Sequence, residues 1–243
     1  ADPCTVDDCA TGNVAALSFD GTDDYVTMGT ASGLNTTTFT LECWFKRTAT
    51  GIGNTTGTGG IASLVPLVTK GAPEGDTPAN LNANYILGID TSTNTLAVDF
   101  EESAGPNHPA TSPTSPASNV IALNTWYHAA ATYDGTTWRL YLNGDLIHTE
   151  VESATPEANS IGRFALATMY GSNGTTYGRF AGVLDEVRVW NYARMQSEIQ
   201  ADMNAEVTRR GFLHSAAAVT AVGALARRVR AQEDMPAERI RLT

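Results

Sequence analysis

Between residues 14 and 190 the chain never runs far without a turn signal. Short runs such as "VAALSF", "FTLECWFK", "NYILGID", "TLAVDF", "WYHAAATY", "WRLYLNG" and "GVLDEVRVW" are split by Gly, Asn, Asp, Thr and Pro. Many alternate apolar and polar residues with period two, the period of a strand with one face buried. "TYDGTTW" sets Asp-Gly between two such runs, and "YLNGDLI" sets Asn-Gly between two more. Both dipeptides accept the positive φ angles that tight hairpins demand. Regularly spaced strands of this kind predict an all-β fold, an antiparallel sandwich or jelly roll.

Three stretches depart from that pattern. "TATGIGNTTGTGG" (48–60) is rich in Gly and Thr and reads as a mobile loop. "SAGPNHPATSPTSPAS" (103–118) carries prolines that forbid a central strand. Both are long for structureless connections, so they read as rims or insertions. After Trp190, Met195, Ile199 and Met203 recur at helical spacing in "NYARMQSEIQADMN", which predicts a short amphipathic helix.

Charge divides the chain. The net charge of −11 argues against nucleic acid, whose phosphates call for a basic surface. Residues 206–243 hold seven arginines against four acids, while residues 1–205 hold eight basic residues against 22 acids. The chain therefore divides into an N-terminal segment (1–13), a β domain (14–205) and a basic, Ala-rich helical tail (206–243). In the tail, "TRRGFLHSAAAVTAVGALARRVRAQ" is similar to a twin-arginine export signal, which belongs at an N-terminus. Its apolar run from Phe212 to Ala226 is 15 residues, short for a membrane span, so no transmembrane segment is expected. The tail reads as a surface helix, as a sorting or anchoring element, or as a helix (206–230) that self-associates.

Cys4 and Cys9 in "CTVDDC" are close enough to close a small disulfide loop, with a metal pair as the other reading. Cys43, between Glu42 and Trp44, reads as a small buried residue. The opening "ADPC", without Met or leader, fits a mature secreted chain. The four histidines (108, 128, 148, 214) are scattered, and no nucleophile elbow, zinc-protease or phosphate-loop motif occurs.

Three segments together carry a resemblance. They are "ALSFDGTDDYVTMG" with "FTLECWFK", then "WYHAAATYDGTTWRLYLNGDLI", then "FAGVLDEVRVWNYARMQSEIQADM". In order and spacing they resemble the laminin G-like domains of the concanavalin A-like lectin/glucanase superfamily, in the bacterial branch related to pentraxins. The resemblance covers about residues 14–204. It implies a jelly roll of two antiparallel sheets, non-catalytic binding of glycan or of an extracellular protein, and often Ca²⁺.

In such domains the first and last strands lie side by side. That implies a Ca²⁺ site in which Asp20 and Asp24 meet Asp185 and Glu186, since Ca²⁺ takes six to eight hard oxygens. The residues also allow a plainer reading. Asp20 would cap the Asp-Gly turn, Asp23 and Asp24 would be solvated, and Glu186 would pair with Arg188. Asp185 interrupts an apolar alternation, so its burial would require a partner.

One hydrolase branch of the superfamily places its catalytic acids as E-x-D-x-E on one strand. Here "AVDFEE" supplies Asp99 and Glu101 but has Ala97 where the nucleophile would stand, so no enzyme is expected. Sugar platforms are expected at Tyr170 and Tyr177, with Asn173 between them, in the Gly-rich segment "TMYGSNGTTYGRF". Trp44, Trp126, Trp138 and Trp190 fall inside strand motifs and read as core. The expected role is a secreted or cell-surface binding module, stabilised by calcium. The alternative is a structural subunit of an extracellular filament, joined through the C-terminal helix.

Overall fold

The structure, a computed structural model, describes residues 16–73, 79–215 and 240–241. Two antiparallel sheets face each other. The first runs in the order β1 (Leu17–Asp20), β14 (Ala181–Trp190), β3 (Phe39–Arg47), β8 (Trp126–Tyr133), β9 (Thr137–Leu142), β10 (Asp145–Val151). The second runs β2 (Val26–Thr27), β11 (Phe164–Leu166), β4 (Leu64–Lys70), β5 (Tyr85–Asp90), β6 (Thr95–Asp99), β7 (Ala110–Thr111). A small hairpin joins β12 (Met169–Tyr170) to β13 (Thr176–Tyr177), and β15 (Ile240–Arg241) pairs with β14. This is the jelly-roll sandwich that the strand pattern predicts.

Both hairpin signals act as read. Asp134 and Gly135 turn β8 into β9, with Asp134 Oδ1 accepting the Thr136 N–H at 3.0 Å. Asn143 (φ 53°) and Gly144 (φ 81°) turn β9 into β10, both in the left-handed region that a two-residue hairpin uses.

Period two then builds the core. Phe39, Leu41, Cys43 and Phe45 of β3 point inward with Ala129, Ala131 and Tyr133 of β8. They meet Tyr85, Leu87 and Ile89 of β5 and Leu96 and Val98 of β6. Trp138 is fully buried among them, whereas Trp44 and Trp126 are half-buried on the outer face of the first sheet. Pro66 sits within β4, where it coincides with a register shift between Pro66 and Val68, the one place a central strand tolerates proline.

Each sheet is also covered on its outside. The 48–63 loop is not free, as its composition suggests. Ile52 bridges Arg179, Asn54 bridges Leu64, and Thr56 is buried. The segment lies over the second sheet, where Ile61, Leu64, Ala72, Ala83, Ile86, Ala97 and Met169 form a second apolar cluster. The 103–118 loop gives only the short edge strand β7, as its prolines require.

The outer face of the first sheet carries α1 (Gln196–Ser215). Ile199 packs on Ala130 and Tyr141, and the small outward side chain of Ala130 leaves room for it. Met195, expected on the buried face, precedes the helix and is exposed. The helix has 20 residues and crosses the expected boundary at 205/206. No helix among the described residues is long and apolar enough to cross a membrane. Cys4, Cys9 and most of the 206–243 tail lie outside the described residues.

Candidate functional site

The turn after β1 is built by its own carboxylates. Asp20 Oδ1 accepts the N–H of Thr22 at 2.6 Å and of Asp23 at 3.4 Å. Asp24 Oδ2 accepts the Asp20 N–H at 3.1 Å. The Thr22 N–H leads the causes that hold the Asp20 carboxyl below its ordinary range. Gly21 has φ 80°, and a Cβ there would stand 2.7 Å from Ala181 Cβ, so the turn needs glycine on both counts. Asp20, Asp23 and Asp24 each offer an oxygen within 4.8 Å of the others.

Asp185 and Glu186 do not join them. β1 and β14 are neighbours, as the resemblance implies, but the register sets Asp20 opposite Ala181 and Leu17 opposite Leu184. Asp185 is four residues from Asp20's partner, about 13 Å along a strand. The register of β14 against β3 also shifts between Asp185 and Arg188, and Glu186 takes φ 49° in that bulge. Asp185 Oδ1 accepts the Glu186 N–H at 2.8 Å, and Glu186 Oε2 accepts from Arg188 at 2.7 Å. The plainer reading of Glu186 is thus the one the geometry takes.

The bulge belongs to a buried charged layer beneath α1. Arg194 donates to Glu42 Oε1 at 2.7 Å and to Asp202 Oδ2 at 3.0 Å, and its guanidinium lies 4.3 Å from the Trp190 ring centroid. Burial raises the Glu42 carboxyl despite Arg194. His128, in the same layer, is pushed down to about 3 by burial and then by Arg188 and Arg194.

Tyr25, directly after the aspartate turn, was not singled out by sequence. Its ring meets Tyr170 edge-on at 5.3 Å, and it remains 40% exposed. Arg163 lies 4.7 Å from the Tyr170 ring centroid and donates to the Tyr170 hydroxyl at 2.9 Å. Arg179 lies 6.0 Å from the Tyr25 ring centroid and is fixed by Thr168 and Thr176. Tyr170 itself is buried, and Tyr177 packs against the second apolar cluster. Asn173 is exposed at the hairpin tip, where its Oδ1 accepts the Thr175 N–H at 2.8 Å. The accessible aromatic face is therefore that of Tyr25, flanked by two guanidiniums and the acidic turn. Its only sequence signal was its place beside the three aspartates.

Asp99 and Glu101 are 0% and 1% exposed, so neither carboxylate meets an open cleft. A separate groove of about 300 Å³ lies beside the β9–β10 hairpin, lined by Asn119, Asn143, Asp145 and Leu146 among others.

The two-sheet architecture defines a lectin-like jelly roll. Residues 20–200 match a laminin G family model, and the chain belongs to the concanavalin A-like lectin/glucanases superfamily. Pappalysin-1 of Mus musculus and of Homo sapiens are each 24% identical over 196 residues. The match covers 77% of this chain and 11% of either protein, so the chain spans about a tenth of those relatives' length. Among solved structures, Ruminococcus gnavus IT-sialidase CBM40 bound to α2,3 sialyllactose has TM-score 0.57 and 14% identity, covering 78% of this chain and 95% of that one. Domain 4 of AbnA, a GH43 extracellular arabinanase from Geobacillus stearothermophilus, in complex with arabinotriose, has TM-score 0.53 and 15% identity, covering 80% and 79%. At these identities the likeness is one of fold.

Proposed function

We propose that this domain is a non-catalytic extracellular module that binds glycan at the surface formed by Tyr25, Tyr170, Arg163 and the β12–β13 hairpin. The carrying observation is the half-open Tyr25 ring held edge-on by Tyr170, with guanidiniums beside it. A fixed aromatic face stacks on the apolar face of a sugar, and guanidiniums meet its hydroxyls or carboxylates. Two solved structures of this fold hold oligosaccharides, which favours a sugar over a protein ligand. The burial of Asp99 and Glu101 favours binding without hydrolysis.

Ca²⁺ is part of the proposal. Asp20 Oδ1 is occupied by backbone N–H groups, which leaves its second oxygen, the Asp23 carboxylate and Asp24 Oδ1 as hard donors on one turn. A bound ion would brace the chain that carries Tyr25.

The test is a glycan array followed by calorimetry, in calcium and in EDTA, on wild type and Tyr25→Ala. A glycan hit that weakens about tenfold or more in the folded variant, about 1.4 kcal/mol, supports the surface. A hit that Tyr25→Ala leaves unchanged moves the site elsewhere, and the Asn143–Asp145 groove becomes the next candidate.

A further inference from the structure

Six arginines precede the basic tail. Arg139, Arg188 and Arg194 meet carboxylates at 2.6, 2.7 and 2.7 Å. Arg47 is 2% exposed and spends its guanidinium on Asn94 Oδ1 and on the carbonyls of Ala49 and Thr50. Arg163 and Arg179 remain. Both are half-buried, and among the described residues neither is joined to a carboxylate.

These two flank one pair of rings. Arg163 lies 4.7 Å from the Tyr170 ring centroid, Arg179 lies 6.0 Å from that of Tyr25, and the two rings meet edge-on at 5.3 Å. The Tyr170 hydroxyl holds the Tyr25 phenol above its ordinary range, and Arg179 and Arg163 both pull against it. The fields of both guanidiniums thus reach the exposed ring.

Neutral groups aim each cation. Arg179 Nη1 donates to Thr168 Oγ1 at 2.8 Å and to Gly178 O at 2.7 Å, and its Nη2 donates to Thr176 Oγ1 at 2.7 Å. Arg163 Nη1 donates to the Tyr170 hydroxyl at 2.9 Å. That one side-chain bond leaves the Nε–Nη2 edge of Arg163 without an acceptor among the described residues. Its two parallel N–H groups are an edge that a carboxylate takes side-on. Hydroxyls and a carbonyl fix both guanidiniums in place without neutralising them. A cation so held and partly stripped of water gains most from an anionic acceptor.

The aspartate turn beside Tyr25 does not supply that acceptor. Asp20 Oδ1 is turned to the N–H groups of Thr22 and Asp23, and Asp24 Oδ2 to the Asp20 N–H. Residues 1–205 hold 22 acids against eight basic residues, yet the two cations at this platform stay unmatched.

We propose that the glycan taken by this surface is acidic: a sugar ring stacks on Tyr25, and a carboxylate on that ring or the next accepts from the Nε–Nη2 edge of Arg163, with Arg179 adding a second positive charge. The inference rests on the glycan-binding reading above and narrows it to one class of ligand. It does not depend on an ion at the aspartate turn.

The test compares one ligand in two forms. The full chain is screened on an array of neutral, sulfated and carboxylated glycans. The best carboxylated hit is then measured by calorimetry beside its carboxyl-reduced form, in which the carboxylate becomes a primary alcohol. Carboxylated glycans should lead the array, and reduction should weaken binding at least about tenfold, the loss of one charge-assisted pair. Added salt should weaken the acidic form more than the reduced one. Arg163→Gln, checked for folding by its melting temperature, should bring the two forms together. Acidic and reduced forms that bind wild type alike overturn the inference, and that comparison needs no variant. A difference that persists in folded Arg163→Gln overturns it, as does a lead by sulfated over carboxylated glycans. Neutral hits that Tyr25→Ala abolishes overturn it while leaving the surface in place. An array with no hit overturns both the inference and the reading beneath it.

Discussion

His128 shows how one buried residue sets a pH limit. It stands on the outer face of β8 beneath α1, edge-on to Trp44, with Arg188, Arg194 and Asp202 acting on it and Glu42 nearby on β3. Burial and the two arginines hold its pKa at about 3, against 6.5 for the ordinary side chain. Between those values the unfolded chain binds a proton that the folded chain refuses. Stability is therefore full above about pH 6.5 and falls as pH drops toward 3, by at most about 1.4 kcal/mol per unit. Urea midpoints measured from pH 7 to pH 4 should fall, and His128→Gln should flatten that slope. An identical slope in the variant would assign the acid sensitivity to other groups. The same scale explains what sequence reading could and could not find. The Asp-Gly and Asn-Gly turns were legible because a positive φ is a local demand. Tyr25 was not, because its value as a platform comes from Tyr170, 145 positions away in the sequence.

At the scale of elements, α1 is fastened to the first sheet by charge as well as by Ile199. Arg194, just ahead of the helix, donates its backbone N–H to Thr40 Oγ1 and its guanidinium to Glu42 and Asp202. Glu42 is 0% exposed, so Glu42→Ala would leave a buried guanidinium short of a counter-charge. The expected cost is about 3–5 kcal/mol in urea unfolding. Adding Arg194→Leu should recover part of it, and a fully additive double variant would show that the two residues are not coupled. The 48–63 loop makes the contrary point about legibility. Its glycines suggest freedom, yet Thr56 accepts the Ile61 N–H at 2.7 Å while donating to Asp99. Composition reports what a segment can do alone. It does not report the sheet waiting beneath it.

At the scale of the molecule, calcium should appear as added stability. An ion bound only by the folded state contributes about 2.7 kcal/mol at a hundredfold excess over its Kd. Melting in EDTA and then in calcium should show a rise of several degrees, and Asp23→Asn/Asp24→Asn should reduce it. A rise equal in wild type and variant would remove the aspartate turn from the calcium sites. No rise at all would count against calcium at the aspartate turn.

The jelly roll, its hairpins and its family were determined by the sequence itself. Period-two alternation, turn dipeptides and core aromatics are written within a few residues of one another. The sites were decided by tertiary structure. One register and one bulge separate Asp185 and Glu186 from Asp20 and Asp24, although the strands that carry them are neighbours. A loop folded across β6 buries Asp99 and Glu101, the two acids of the "AVDFEE" run, away from any open cleft. Strand propensity is a local property, whereas register is the outcome of every turn and bulge between two strands. A binding site depends on register to within a residue, and that precision exists only once the chain has closed on itself.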